Sequence, residues 1–173
     1  MLVEGTSDQV AVETLAERRG VSLAAEGVEI VPIGGAQAIG RFLAHLGPLG
    51  VSLAGLYDAA EEREFSRALG DDLERRGFFA CEPDLEGELI RALGAAAVEA
   101  VAEANGDLSS FRTLQRQPAW RGQPVEEQLR RFMGSGGSRK IRYARLLVEA
   151  LDPDAAPAPL DRVLARALSA GRG

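Results

Sequence analysis

Along the first 90 residues, short apolar runs alternate with segments whose apolar side chains recur at helical spacing. The apolar runs are rich in branched or aromatic side chains and predict strands at 1–4, 28–31, 51–57 and 77–81. The intervening segments place apolar residues three and four positions apart, which predicts helices at 10–20, 38–47 and 59–70. Strands that alternate with helices through short connections predict a parallel, doubly wound α/β sheet.

After residue 84 the pattern is helical throughout. Helical spacing predicts helices at 84–105, 107–117, 124–134, 138–151 and 160–169, with a Pro/Ala-rich linker, DPDAAPAP, before the last one. We therefore predict an α/β core over 1–105, a helical extension over 106–151, and a linker with a terminal helix over 152–173.

Two helix starts carry capping patterns. Thr6 with Gln9 three positions later fits a capping box, which predicts Thr6 as the N-cap of the first helix. In GSGGSRK, Ser138 is the predicted N-cap of the helix that follows, and Lys140 falls in its first turn. A lysine at a helix N-terminus can bind phosphate, but a capping turn with a solvated lysine explains the pattern about equally well.

The amino-acid composition excludes or disfavours several kinds of functional site. The 173 residues include one cysteine, Cys81, and one histidine, His45, which excludes an internal disulfide and disfavours histidine-rich metal sites and Ser–His triads. Neither a membrane-span-sized apolar run nor a secretion signal is visible, so we expect a cytoplasmic protein with no membrane partner. Lys140 is the only lysine among 20 basic residues, in a chain whose Ala, Gly and Arg content suggests GC-rich codons. Arginine does not replace a compact ammonium group, so Lys140 is a candidate functional residue.

The net charge of −6 is unevenly distributed. Residues 1–110 carry a balance of −12, whereas residues 111–146 carry +7. An acidic lobe beside a basic one suits cations bound to carboxylates with a polyanion lying across both. Charge complementarity between two packed halves explains the same distribution equally well.

Carboxylates cluster where the predicted strands end. Glu4 and Asp58 end the first and third strands, so they should face the edge of the sheet where parallel α/β proteins bind ligands. Other acids lie in the first turns of the following helices, where the helix dipole alone explains each of them taken singly: Asp8, Glu61, Glu62, Asp84 and Glu86. Oxygen ligands without histidine or cysteine select Mg²⁺ or Mn²⁺, which can support phosphodiester hydrolysis.

Several of these segments, in order, resemble the TOPRIM domain. LVEGTSDQ, VPIGGAQAIGRFL and LYDAAEE follow its pattern, and DLEGEL with the lysine of GSRKIRYARLLVEAL is most similar to the overcoming-lysogenisation-defect (OLD) nuclease branch. The resemblance covers roughly residues 1–150. It implies a Rossmann-like, parallel four-stranded sheet flanked by helices, with a helical C-terminal part.

The resemblance also implies roles for individual residues. Glu4 and Lys140 would be catalytic, Glu4 by moving protons and Lys140 by stabilising phosphate charge. The metal ligands would be Glu4, Asp8, Asp58, Glu61 and Glu86. Ala60 replaces the second aspartate of the family's Asp-x-Asp motif, and Glu61 is the substitute nearest to it in sequence. This departure puts binding of a second metal, and full activity, in doubt.

The basic segment supplies candidate DNA contacts. We assign them to Arg112, Arg116, Arg139 and Arg142, although some arginines must simply be solvent-exposed faces of helices. Trp120 is more often a core or capping aromatic than a base-stacking platform in such a position.

We therefore expect a metal-dependent DNA endonuclease or nickase of stand-alone OLD type, using Mg²⁺ or Mn²⁺. Since no Walker A motif is present, an ATPase would be a separate partner or is not needed, and a homodimer is compatible with the sequence. One alternative is an inactive TOPRIM adaptor that binds nucleic acid or an ATPase; another is a small-molecule phosphohydrolase.

Overall fold

The computed structural model describes residues 1–170, so the last three residues of the predicted terminal segment lie outside the described residues. Four parallel strands form one sheet: β1 (Leu2–Val3), β2 (Val31–Pro32), β3 (Gly55–Asp58) and β4 (Phe78–Cys81). Their order is β2-β1-β3-β4, which places β1 and β3 side by side. The predicted parallel four-stranded α/β sheet with a helical C-terminal part is confirmed.

Nine α-helices are present between residues 1 and 170. They are α1 (Thr6–Arg18), α2 (Ile39–Leu46), α3 (Glu62–Leu69), α4 (Leu85–Leu93), α5 (Ala95–Ala104), α6 (Leu108–Arg116), α7 (Val125–Met133), α8 (Gly137–Ala150) and α9 (Ala158–Ala170). Short 3₁₀ turns occupy Ala36–Ala38, Gly47–Leu49, Ala59–Glu61 and Pro153–Ala155. No helix in this part of the chain has the length and hydropathy of a membrane span.

Successive residues of the strands point to opposite faces of the sheet. Leu2, Tyr57 and Phe78 pack in a smaller core with α2 and α3, whereas Val3 and Leu56 belong to the main core on the other face. Both faces are buried, as expected of a parallel sheet.

The main core continues into the helical part. Phe111 of α6, Phe132 of α7 and Tyr143 of α8 are in the same buried cluster as Val3, and α1 packs mainly against α8. The two parts of the chain therefore share one hydrophobic core, and division at residue 105 stays a prediction.

Several helix boundaries in the structure differ from those predicted. Gly5, not Thr6, is the N-cap of α1, because the Asp8 carboxylate accepts the Gly5 N–H at 2.9 Å. Gly136, not Ser138, precedes α8, although Lys140 still closes its first turn through a bond from its N–H to the Gly136 carbonyl. The single helix predicted over 84–105 is two helices, separated at Gly94, whose φ of +79° cannot continue a right-handed helix.

Two predicted elements are also displaced. The predicted strand at 28–31 is observed only at Val31–Pro32, and the predicted strand at 51–57 begins later, at Gly55. The linker 152–159 contains a 3₁₀ turn, and α9 begins inside it at Ala158.

Candidate functional site

Three carboxylates meet where β1 and β3 end. Glu4 follows β1 directly, Asp58 is the last residue of β3, and Asp8 lies in the first turn of α1. Glu4 Oε1 accepts a hydrogen bond from the Asp58 N–H at 2.7 Å, which ties the two strand ends together. All three side chains line a cleft of about 320 Å³, together with Gly35 and Lys140.

Local geometry explains the position of each acid. Asp8 caps its own helix through Gly5 and is only 6% exposed, so its carboxylate is fixed beside the end of β1. The Glu4 backbone carbonyl accepts hydrogen bonds from the N–H groups of Gly34 and Gly35 at 3.0 and 3.1 Å. The double glycine after β2 therefore holds the end of β1. From sequence, PIGGAQ is explained better by a plain tight turn than by a close backbone approach to the site, so neither glycine is among the predicted site residues; the structure shows the close approach.

Lys140 and Glu86 form an ion pair beside these acids. The distance from Lys140 Nζ to Glu86 Oε2 is 3.3 Å, and the Glu86 side chain is only 7% exposed. The second carboxylate oxygen, Glu86 Oε1, is buried and has no hydrogen-bond partner among residues 1–170. A buried carboxylate oxygen without a donor is costly, and a cation would satisfy it.

Burial and mutual repulsion weaken the acidity of the cluster. Burial, followed by the charges of Glu4 and Asp8, raises the pKa of Asp58 to about 7. Burial also raises the pKa values of Glu4, Asp8 and Glu86. Burial would lower the pKa of Lys140, but attraction from Glu86, Asp8 and Asp58 outweighs it and raises that pKa. Burial, reinforced by the neighbouring carboxylates, thus favours the protonated form of these acids.

The remaining predicted ligands lie at the margin of the cluster. Glu61 ends the 3₁₀ turn after Asp58 and raises the Glu4 pKa through its charge, but it does not line the cleft. Glu86 lines an adjoining cleft that shares Lys140 with the first one. Within residues 1–170, no three acidic, histidine or cysteine side chains are already arranged as a cation-binding set. To bind a metal ion, the candidate ligand side chains would have to move closer to one another.

The four arginines predicted to contact DNA make contacts within the protein. Arg112 pairs with Glu99 at 2.5 Å and Arg142 pairs with Asp107. Arg139 donates to Ser135 Oγ at 2.7 Å, and Arg116 donates to Thr113 Oγ1 at 3.3 Å. None of the four lines either cleft, whereas Arg130 and Arg131 line the second one.

Asp84, another acid of the sequence pattern, has a structural role. It caps α4 by accepting the Gly87 N–H at 2.8 Å and pairs with Arg130 at 2.6 Å. The helix-dipole interpretation therefore accounts for this residue.

Comparison with known proteins agrees with this architecture. Residues 1–59 match the family model described as "Overcoming lysogenization defect protein-like, TOPRIM domain". The C-terminal region of the Burkholderia pseudomallei OLD protein superimposes with a TM-score of 0.70 and 19% identity, covering 98% of this chain and 96% of that one. The C-terminal region of the Xanthomonas campestris pv. campestris OLD protein gives a TM-score of 0.69 and 23% identity, covering 99% and 94%. No curated protein matches the chain significantly. The predicted resemblance to an OLD-type TOPRIM domain is confirmed, and the described residues, 1–170, have the fold of these C-terminal regions.

Proposed function

We propose that the chain is a metal-dependent phosphodiester hydrolase that cleaves DNA. The observation that carries the proposal is the cleft in which Glu4, Asp8 and Asp58 meet Lys140 at the carboxyl edge of a parallel sheet. Acids that bind cations and a lysine that binds phosphate are the two components that hydrolysis of a phosphodiester needs. The match of residues 1–59 to an OLD-like TOPRIM model supports this class of activity.

The donor set fits Mg²⁺ or Mn²⁺. The candidate ligands offer only carboxylate oxygens, and burial raises the pKa values of Glu4, Asp8, Asp58 and Glu86. Among residues 1–170, Glu86 Oε1 is in addition a buried oxygen without a hydrogen-bond partner. Glu4, Asp8 and Asp58 would hold the ion, with Glu61 and Glu86 as ligands that complete its coordination. When bound, the ion supplies Lewis acidity at a phosphate oxygen.

The protein side chains then have distinct roles. Lys140 would bind a phosphate oxygen through Nζ and stabilise the charge that builds there during the reaction. Glu4 Oε1 is held by the Asp58 amide, so we assign acceptance of a proton from the attacking water to Glu4 Oε2. Four cations of residues 111–146 pair with acids of residues 1–110, namely Arg112, Arg130, Lys140 and Arg142. The remaining cations of this segment, such as Arg131 beside the cleft, favour a long polyanion such as DNA over a small phosphate ester.

The test is cleavage of supercoiled plasmid and of single-stranded DNA with Mg²⁺ or Mn²⁺. We expect the wild-type protein to cleave only with a metal, and Glu4→Ala and Lys140→Ala each to lose that cleavage. Glu17→Ala and Arg145→Ala are matched controls, since they change exposed residues of the same two helices, α1 and α8. Cleavage in EDTA, or cleavage that survives both site substitutions, would contradict the proposal.

A second candidate function is a catalytically inactive adaptor that binds nucleic acid or an ATPase. Ala60, in place of the second aspartate, and the lack of a preformed three-ligand set in residues 1–170 favour it. It predicts no cleavage with any metal, and DNA affinity that is unchanged by Glu4→Ala.

A further inference from the structure

A second cleft shares Lys140 with the cleft that contains the three acids. It has a volume of about 290 Å³, and Trp120 lines it together with three cations and three acids: Arg130, Arg131, Lys140, Asp84, Glu86 and Glu127. Since Lys140 also lines the first cleft, the two clefts are neighbours across one ammonium group. The volume lies just below the range of about 300–1,000 Å³ that is usual for small-molecule sites.

The backbone of Trp120 is fixed by buried polar contacts. Trp120 lies in the turn between α6 and α7, and its carbonyl accepts a hydrogen bond from Gln128 Nε2 at 2.8 Å. Gln128 is only 5% exposed and in turn accepts a hydrogen bond from Gln115 Nε2 at 2.6 Å. This arrangement holds the ring at the cleft through main-chain contacts, without using the indole itself.

The indole of Trp120 has no partner within residues 1–170. Its ring makes no stacking or cation–π contact, and its Nε1–H donates no hydrogen bond there. Elsewhere in the molecule arginines lie over aromatic rings, as Arg139 does over Phe132 at 4.4 Å and Arg162 over Phe79 at 4.5 Å. The only tryptophan, whose ring binds cations best among the aromatic side chains, is half-buried at the cleft and has no such partner within residues 1–170.

One cation in this cleft is also unpaired. Arg130 is bound to Asp84 at 2.6 Å and to Glu127 at 3.4 Å, and Lys140 is bound to Glu86. All three acids of the cleft are thus paired with these two cations. Arg131 is exposed, and its guanidinium has no ion-pair or hydrogen-bond partner in the described part of the chain. The cleft therefore combines an indole without a partner, a free guanidinium and the lysine of the candidate catalytic site.

We propose that this second cleft is a nucleotide subsite, in which an unpaired base stacks on Trp120 and Arg131 binds the phosphate next to it. The proposal rests on the proposed function and specifies its substrate. A base in a duplex is stacked on both faces by its neighbours. The strand must therefore be single-stranded or locally unwound before one of its bases can stack on the indole of Trp120. The substrate class is thus a nucleic-acid strand with an unpaired nucleotide beside the phosphate held by Lys140.

The test measures base-dependent binding separately from cleavage. The experiment uses the Glu4→Gln variant, in which the proposed proton transfer is disabled. Its binding to a fluorescein-labelled single-stranded pentanucleotide is measured in Mg²⁺. We expect Trp120 fluorescence to be quenched on binding, and an abasic strand with the same phosphates to bind more weakly without quenching. Trp120→Ala should weaken binding by about 5- to 100-fold by fluorescence anisotropy, whereas Trp120→Phe should retain most of it.

An Arg131 variant tests the proposed phosphate contact separately from protein stability. Arg131→Ala removes an exposed group without partners, so it should leave the melting temperature unchanged and still weaken binding of the pentanucleotide. Equal binding of the abasic and the normal strand, tighter binding of a duplex than of the single strand, or unchanged affinity in Trp120→Ala would each overturn the subsite. If wild-type protein cleaves DNA while base-dependent binding is absent, only the subsite fails. If base-dependent binding is present without cleavage, only the proposed hydrolysis fails.

Discussion

The two edges of the sheet differ in chemistry more than in size. At the amino ends of the strands a cleft of about 540 Å³ is lined mostly by apolar residues, including Leu46 and Leu53. Among the described residues that line it, only Glu29 and Arg166 have charged side chains. Leu49 and Val51 remain 63% and 50% exposed beside it.

At the carboxyl ends the cleft is smaller but contains three acids and a lysine. Its acids come from strand ends and the first turn of a helix, where the backbone directions of a parallel sheet bring polar groups together. The amino-edge cleft lies at the other end of the same strands, and Glu29 is the only acid among the described residues that line it. Cleft volume and ionisable groups therefore favour different edges of the sheet, and the proposed function rests on the ionisable groups.

The largest expected difference between the two edges is in the rate of cleavage. Asp58→Asn removes one charge from the proposed metal site, and we expect Mg²⁺-dependent plasmid cleavage to fall by about 100-fold or more. Glu29→Gln, at the amino edge, should leave the rate unchanged. A large loss in Glu29→Gln would show that the amino edge contributes to catalysis and would remove the contrast.

The next difference is in stabilisation by metal ions. A ligand at about 100 times its Kd stabilises a folded protein by about 2.7 kcal/mol, which corresponds to a rise of roughly 5–10 °C in melting temperature for a domain of this size. We expect this rise for wild-type protein in Mg²⁺, with EDTA reversing it, and its loss in Asp8→Asn. Glu17→Gln, an exposed residue of the same helix, should keep it. No metal-induced shift in wild-type protein would favour the adaptor hypothesis.

The pH dependence of metal-free protein gives a third test. Because folding raises the pKa of Asp58 from 3.8 to about 7, the folded state binds more protons than the unfolded state between these values. Its contribution to stability is therefore complete below about pH 4 and is lost as pH rises through about 7. Asp58→Asn should match wild type in urea denaturation at pH 4 and be more stable than wild type at pH 8. A difference of the opposite sign at pH 8 would show that Asp58 is stabilised as an anion.

The sequence predicted the sheet and its acidic edge because these depend on local patterns. Glu4 and Asp58 could be assigned to strand ends from the apolar runs that precede them, and parallel strands put their ends on one edge. That β1 and β3 are neighbours, so that Glu4 reaches the Asp58 amide, depends on strand order. Strand order is set by how the helices pack, and no single segment encodes it.

Contacts between distant segments were not predictable from local patterns. The pair of Lys140 with Glu86 requires α8 to pack on α4, and the fixed Trp120 turn requires Gln128 on the following helix. The capping error at Thr6 has a local cause instead. The Asp8 carboxylate accepts the Gly5 N–H at 2.9 Å, so Gly5 is the N-cap and Thr6 is the first residue of α1.

The smallest expected difference concerns two glycines, one at each edge. Gly35 at the carboxyl edge has φ of +106° and ψ of +151°, a region that is essentially restricted to glycine, so Gly35→Ala should cost on the order of 1–3 kcal/mol. Gly50 beside the amino-edge cleft has φ of +66° and ψ of +17°, a left-handed conformation that costs other residues about 1–2 kcal/mol and that asparagine tolerates best. Urea denaturation should therefore show a larger loss of stability for Gly35→Asn than for Gly50→Asn.

Because the Gly35 N–H also donates a hydrogen bond to the Glu4 carbonyl, Gly35→Asn should in addition reduce metal-dependent cleavage, whereas Gly50→Asn should not. Equal losses of stability with no effect on cleavage would mean that the glycine turn after β2 only connects β2 to α2.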